Sequence, residues 1–164
     1  MLILALCFTM LCAEPAMAAT KSLKSQKFTT TLATIQKKGT LVKRGANYTL
    51  KVKSSGGWIK FKAPATKLYT FNFSGMTSSK NYTCGHISLN KTYSQKYVTN
   101  VKVRTQGGTT GALYVANRKG SVVYKKATEN YLTSRYAKLK LKKGESVYIY
   151  LWATSPFSIR FSVK

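Results

Sequence analysis

Hydrophobic and polar residues alternate along most of the chain beyond about residue 28. In one such segment Tyr48, Leu50 and Val52 are separated by Thr49 and Lys51. Because successive side chains of a strand point to opposite faces, this period of two predicts strands with one buried and one exposed face. The same alternation is found over residues 48–53, 58–63, 68–73, 101–104, 138–141, 147–152 and 157–163. No segment shows the period of an amphipathic helix, so no helix is expected.

Turn-forming residues separate these segments. Gly or Pro follows a polar or small residue at Lys38-Gly39, Arg44-Gly45, Ser55-Gly56, Ala63-Pro64, Lys119-Gly120, Lys143-Gly144 and Ser155-Pro156. About eight to ten short strands joined by such turns favour an all-β antiparallel sandwich or barrel over residues 28–164. Without helices between the strands, a parallel sheet is not expected. Residues 19–27 are small, polar and basic, which predicts a flexible lead-in.

The first 13 residues are uncharged and mostly apolar, and Ala16-Met17-Ala18 follows shortly after them. This apolar run is shorter than the roughly 20 residues of a membrane-spanning helix. It is typical of a secretory signal peptide, here residues 1–18, and we expect cleavage near Ala18 and a secreted or cell-surface protein. A buried N-terminal element is the alternative. No Lys or Arg precedes the apolar run, which leaves open a true start upstream of Met1.

The charge balance narrows the possible chemistry. The chain has 28 Lys and Arg residues, three acids and a net charge of +25; loss of Glu14 with the signal peptide would make it +26. Only Glu129 and Glu145 would remain as acids, far apart in sequence, which argues against the facing carboxylate pair of a glycosidase. Cys84 would be the single remaining cysteine, so no intramolecular disulfide is expected.

Cys84 and His86 are the one place where a thiol and an imidazole lie close in sequence. On a strand the two side chains point to the same face, where an activated thiolate or a two-ligand metal contact is conceivable. The chain has no Asp to complete a triad, and a closed zinc site needs about four ligands. We therefore favour a structural cysteine beside an exposed histidine, and we expect no catalytic residue, no metal site and no cofactor.

Lysines at the exposed positions of the predicted strands are the strongest functional signal. They predict a continuous positive face that attracts polyanions in a salt-sensitive way, although solubility and protection of sheet edges are the alternative. Lys outnumbers Arg by 23 to five. Because Lys acts as a point charge, this bias favours diffuse binding over sequence-specific reading of nucleic acid. The predicted polyanion-binding residues are Lys60, Lys62, Lys138, Lys140 and Lys142.

Aromatic residues give a second signal. A flat row of Tyr and Trp on one strand face can stack against sugar rings or lie at a membrane interface. The alternative is that this face is buried in the sandwich or under a loop. The predicted stacking residues are Trp58, Tyr148, Tyr150 and Trp152.

Three stretches together resemble the pre-peptidase C-terminal domain of bacterial secreted and cell-surface proteins. They are W-I-K-F-K-A-P at 58–64 with L-Y-T-F-N-F at 68–73, G-A-L-Y-V-A at 111–116, and L-K-L-K-K-G-E-S-V-Y-I-Y-L at 139–151 ending in F-S-I-R-F-S-V at 157–163. The resemblance implies a jelly-roll β-sandwich that acts as a non-catalytic accessory module, often for binding polysaccharide, collagen or a cell surface. Some relatives bind calcium through acids near the middle strand, but residues 107–112 contain none, so calcium is not expected here.

These observations combine into one expectation, a secreted, non-catalytic module that binds an anionic polymer or polysaccharide of a cell wall or matrix. The first alternative is a cationic effector that acts on anionic membranes or host polyanions. An enzyme built on Cys84, or assembly with an acidic partner, are further alternatives. The sequence leaves the ligand, the organism and the oligomeric state open.

Overall fold

A computed structural model describes residues 18–106, 108–117 and 132–164. Two packed β-sheets make up the fold, so the predicted all-β sandwich is confirmed. The predicted signal peptide, apart from Ala18, lies outside the described residues. In chain order the elements are β1 (Ala19–Ser22), α1 (Leu32–Lys38), β2 (Thr40–Val42), β3 (Asn47–Val52), β4 (Gly57–Lys62), β5 (Lys67–Thr77), β6 (Cys84–Thr92), β7 (Val98–Asn100), β8 (Val103–Thr105), β9 (Gly108–Thr110), β10 (Leu113–Ala116), β11 (Ser134–Leu141), β12 (Ser146–Ala153) and β13 (Phe157–Val163).

The strands form a seven-stranded and a six-stranded sheet. The first has the order β1-β3-β13-β5-β11-β8-β9, and the second has the order β10-β6-β12-β4-β2, with β7 paired to β6. The described part of the chain thus contains 13 strands, more than the expected eight to ten. The excess comes mainly from strands of only three residues, such as β2, β7 and β9, which are too short to show an alternating pattern.

The core lies between the two sheets, and the alternating pattern decides which residues enter it. In β12, Val147, Ile149 and Leu151 are fully buried against residues of the opposite sheet. Aromatic rings fill the centre, where Phe61 contacts Phe71 edge-to-face at 5.6 Å between centroids. Burial of these side chains is the main stabilising contribution, because each large apolar side chain removed from water contributes roughly 1.5–3 kcal/mol.

Helix α1 corrects the expectation of a chain without helices. It covers part of the outer face of the six-stranded sheet, where Leu32 and Ile35 pack against Trp58, Tyr148 and Tyr150. With seven residues and only these two buried apolar positions, the helix is too short to show a helical period in the sequence. No helix among the residues that the structure describes is long and apolar enough to cross a membrane.

The N-terminal segment also differs from the flexible lead-in that its composition predicts. Residues 19–22 form β1, which pairs in parallel with β3 from Ala19↔Tyr48 to Ser22↔Lys51. Leu23 follows and is buried in the core. Backbone hydrogen bonding to an open sheet edge needs no apolar side chains, which is why polar residues can form this strand. A second parallel pair, β2 with β4, lies at the edge of the other sheet, so the otherwise antiparallel sandwich has one parallel pair at an edge of each sheet.

Candidate functional site

Three loops and the C-terminus meet at one end of the sandwich. Gly144 donates its backbone N–H to the carbonyl of Ala63 at 2.8 Å, which joins the loop after β4 to the loop after β11. Lys143 donates its backbone N–H to the Thr66 hydroxyl at 2.9 Å, and Gly45 donates to the carbonyl of Val163 at 2.9 Å. Residues far apart in sequence are therefore held together here by hydrogen bonds that backbone N–H groups donate.

Basic residues are concentrated at this end. We call this set the lysine-rich end; it consists of Lys43, Arg44, Lys62, Lys67, Lys142, Lys143 and Lys164. All of these side chains are exposed except that of Lys67, which is half-buried. Glu145 is the one acid in these loops. Its carboxylate forms an ion pair with Lys91 at 2.6 Å and accepts the backbone N–H of Lys142 at 2.9 Å, so its charge is already compensated.

The hydrogen bond from Lys91, followed by that from the backbone of Lys142, holds the pKa of Glu145 below its ordinary value of 4.5. A carboxyl with a depressed folded-state pKa stabilises the fold above its unfolded pKa and loses that contribution as pH falls through the folded one. We expect Glu145→Gln to lower the unfolding free energy at pH 7 by about 0.2–1 kcal/mol, because the pair is partly solvated. Thermal denaturation of both proteins at pH 7 and pH 2.5 measures this, and a difference that persists at pH 2.5 would contradict it.

The five lysines predicted from the strand pattern do not form one continuous face. Lys62 and Lys142 belong to the lysine-rich end, and Lys140 lies next to it, opposite Leu68. Lys138 lies farther along the outer face of the seven-stranded sheet, opposite Arg104. The expected continuous face was wrong, because β4 and β11 belong to different sheets whose outer faces point away from each other.

Lys60 lies apart from the other four predicted lysines. It is half-buried on the outer face of the six-stranded sheet, and its ammonium donates to the carbonyl of Gln36 near the C-terminal end of α1. A cation at this position complements the negative end of the helix dipole. The position therefore gives Lys60 a structural contact with the helix.

A groove of about 730 Å3 lies on the outer face of the six-stranded sheet. Its floor includes Trp152, His86 and Tyr114, which are register neighbours on β12, β6 and β10. The rings of His86 and Tyr114 are stacked, with centroids 5.1 Å apart and an interplanar angle of 25°. Phe28, from the segment before α1, and Tyr150 also line the groove. We call this feature the aromatic groove.

The predicted stacking residues are mostly covered. Trp58 and Tyr148 are 1% and 4% exposed beneath α1 and the segment before it. The Trp58 indole N–H donates to the carbonyl of Lys27 at 3.2 Å, and the Tyr148 hydroxyl accepts from Gln36 at 3.3 Å. The expectation that these two rings face a ligand was wrong, because the helix occupies the position a ligand would take. Trp152 is 40% exposed.

Tyr150 forms part of the groove wall although only 7% of its surface is exposed. Its hydroxyl donates to the carbonyl of Ser55 at 3.1 Å, and its ring contacts Phe28 edge-to-face at 5.5 Å between centroids. Burial raises the pKa of Tyr150 above its ordinary value, so the side chain stays neutral at physiological pH. It contributes an apolar surface to the groove.

Gly56 is required for this position of Tyr150. Its φ is +81°, and an added Cβ would lie 2.3 Å from the Tyr150 hydroxyl oxygen. We expect Gly56→Ala to lower the unfolding free energy by about 1–2 kcal/mol for the left-handed conformation alone, with the clash adding to it. The matched control is Gly45→Ala, at φ +79° with nothing within 4 Å of the added Cβ. Urea denaturation gives both values, and equal losses would contradict the clash.

Several groove residues were missed by the sequence reasoning. Phe28 precedes the first alternating segment, and Tyr114 was singled out only as part of the L-Y-V stretch. Their approach to Trp152 depends on the pairing of strands distant in sequence, which alternation does not reveal. Cys84 and His86 lie on the same outward face of β6, as expected for a strand. Within residues 18–106, 108–117 and 132–164, no group of three or more His, Cys, Asp or Glu is placed to hold a metal ion.

No family model matches this sequence, and no curated protein matches it. The resemblance to the pre-peptidase C-terminal domain therefore stays a prediction. Among solved structures, the fold is similar to that of CorA, described as a surface-associated copper-binding protein important in copper acquisition by Methylomicrobium album BG8. The identity is 8%, the TM-score is 0.45, and the match covers 77% of this chain and 96% of that one.

Proposed function

We propose that this protein is a secreted, non-catalytic binding module that holds an anionic polymer of a cell wall or matrix at its lysine-rich end. One observation carries the proposal, the convergence of seven basic side chains from separate loops and strand ends around a single acidic side chain, Glu145, which is already paired with Lys91. Hydrogen bonds between the loops hold these like charges together despite their mutual repulsion. Such a concentration of one sign is explained more readily by an anionic ligand than by solubility.

The physical basis is electrostatic attraction between flexible point charges and a charged chain. Six of the seven cations are lysines, whose compact ammonium groups suit a polymer with irregular spacing of charges better than a defined bidentate site. Exposed charges are screened over about 8 Å at physiological ionic strength. Binding is therefore expected to be strong at low salt and to weaken steeply as salt is added.

Dextran sulfate and dextran provide a matched pair of probes, since they share one backbone and differ in charge. We expect the mature protein to bind immobilised dextran sulfate, with an affinity that falls at least tenfold between 50 and 300 mM NaCl. Dextran is expected to bind at least 100-fold more weakly at 50 mM NaCl. Equal binding to the two polymers, or an affinity independent of salt, would contradict the proposal.

A second candidate function is supported by one surface feature. Leu68 is 55% exposed and lies next to Lys67 and opposite Lys140, so an apolar side chain stands among cations. This combination suits the interface of an anionic membrane, as a cationic effector would need. Leakage of a dye from phosphatidylglycerol vesicles at micromolar protein, lost in Leu68→Ser, would favour the effector over the binding module.

A further inference from the structure

We infer that the aromatic groove is a second binding site, which takes a neutral oligosaccharide by stacking sugar rings on its aromatic side chains. The inference is independent of the proposed function, because it uses a different face of the molecule and a different kind of ligand. The lysine-rich end lies where the strand-connecting loops meet. The groove lies instead on the outer face of the six-stranded sheet, alongside the segment before α1.

Exposed aromatic surface is the first observation. Trp152 and Phe28 are 40% and 50% exposed although both are large apolar side chains. Trp152, His86 and Tyr114 lie on neighbouring strands, so their rings recur at the strand spacing of about 4.8 Å. The rings of His86 and Tyr114 stack on each other, so the exposed aromatic surface is mainly that of Trp152 and Phe28. Such a surface can stack against the apolar C–H face of a pyranose, and covering it removes apolar surface from water.

Polar groups for hydroxyl recognition are the second observation. The Ser88 hydroxyl accepts a hydrogen bond from the Asn90 amide at 3.2 Å, which leaves its own proton available to donate. The Asn100 amide is held by donation to the carbonyl of Gly111 at 2.7 Å. A Cβ at position 111 would lie 2.6 Å from the Asn100 Oδ1, so glycine is needed there for this orientation. Fixed polar groups beside aromatic faces are what orient a ligand in an apolar pocket.

The absence of formal charge in the groove is the third observation. The chain has 28 basic residues, yet the groove wall, as far as the structure describes it, contains no Lys, Arg, Asp or Glu. A charged ligand would lose hydration there without gaining an opposite charge, which is unfavourable. The ligand that fits is therefore uncharged. At about 730 Å3 the groove lies within the range of pockets that hold small ligands, which suits a short oligosaccharide.

The test uses three neutral probes, maltohexaose, cellohexaose and hexa-N-acetylchitohexaose, with the mature protein in isothermal titration calorimetry. We expect at least one to bind with a Kd below about 1 mM, unchanged within twofold between 50 and 300 mM NaCl. The chain has two tryptophans, and Trp58 is buried, so Trp152 dominates quenching by acrylamide. The bound sugar is expected to protect it. Failure of all three probes to bind would overturn the inference.

Variants place the binding in the groove. Trp152→Ala and Tyr114→Ala are each expected to weaken binding of the sugar at least tenfold, while the matched control Tyr93→Ala, at a 77% exposed tyrosine that does not line the groove, is expected to leave it unchanged. Retention of full affinity in both groove variants would overturn the inference. Trp152→Ala is expected to keep wild-type binding of dextran sulfate, so failure at this site and failure at the lysine-rich end are observed separately.

Discussion

Reversing the charge of Lys62, Lys142 and Lys143 together is expected to lower the affinity for dextran sulfate about 100-fold or more at 50 mM NaCl. Each lysine close to an anionic surface contributes about 1 kcal/mol, so three lost attractions alone amount to about 3 kcal/mol. A factor of ten in affinity corresponds to about 1.4 kcal/mol. The three side chains are exposed, so glutamates at these positions are compatible with the fold. Surface plasmon resonance on immobilised polymer measures the change.

The matched control reverses the charge of three lysines outside the lysine-rich end, so both triple variants change the net charge of the protein by the same amount. Lys51 lies on the outer face of β3, Lys53 follows that strand, and Lys80 lies between β5 and β6; all three are exposed. We expect the triple variant Lys51→Glu, Lys53→Glu and Lys80→Glu to weaken binding less than tenfold, because only the overall field changes. Equal losses in the two triple variants would show that net charge, and not the lysine-rich end, accounts for binding.

Trp58→Ala is expected to lower the unfolding free energy by about 3–5 kcal/mol, the usual cost of removing a buried aromatic side chain. The ring lies between the six-stranded sheet and the segment that covers it. Its centroid is 4.9 Å from that of Tyr150 and 5.9 Å from that of Phe28, and its N–H donates to the carbonyl of Lys27. Its loss removes apolar contacts between the six-stranded sheet and the segment of Phe28 and α1 that lies over it.

Urea denaturation followed by far-ultraviolet circular dichroism measures this free energy. The matched control is Trp152→Ala, which removes the same side chain from a half-exposed position on the same face and is expected to cost less than about 1 kcal/mol. Similar losses for the two tryptophans would contradict the burial of Trp58 under the N-terminal segment.

The strands and their buried faces could be predicted from the sequence. In β13 the alternation of apolar and polar residues identifies the inward side chains, because a sheet packed on one side imposes a period of two. The all-β sandwich follows from many such segments with turns between them. In β12 aliphatic residues alternate with aromatic ones: Val147, Ile149 and Leu151 lie in the core, and Tyr148 and Tyr150 on the other face are buried as well.

The coverage of the outer face could not be predicted in the same way. Alternation places Trp58 and Tyr148 on the face opposite the core, but it does not show that α1 lies across them. Likewise, the lysines of β4 and β11 have the same pattern, and only the sheet order separates them into different faces. Both the lysine-rich end and the aromatic groove arise from pairings between residues far apart in sequence, for which a local pattern carries no signal.

Co-sedimentation of the mature protein with purified cell walls, before and after removal of their anionic polymers, tests the central claim most directly. We predict that the protein binds intact walls at low salt, binds them less at physiological salt, and loses most of its binding once the anionic polymers are removed. Binding that survives removal of the polymers and addition of salt would contradict the claim, as would no binding at either salt concentration.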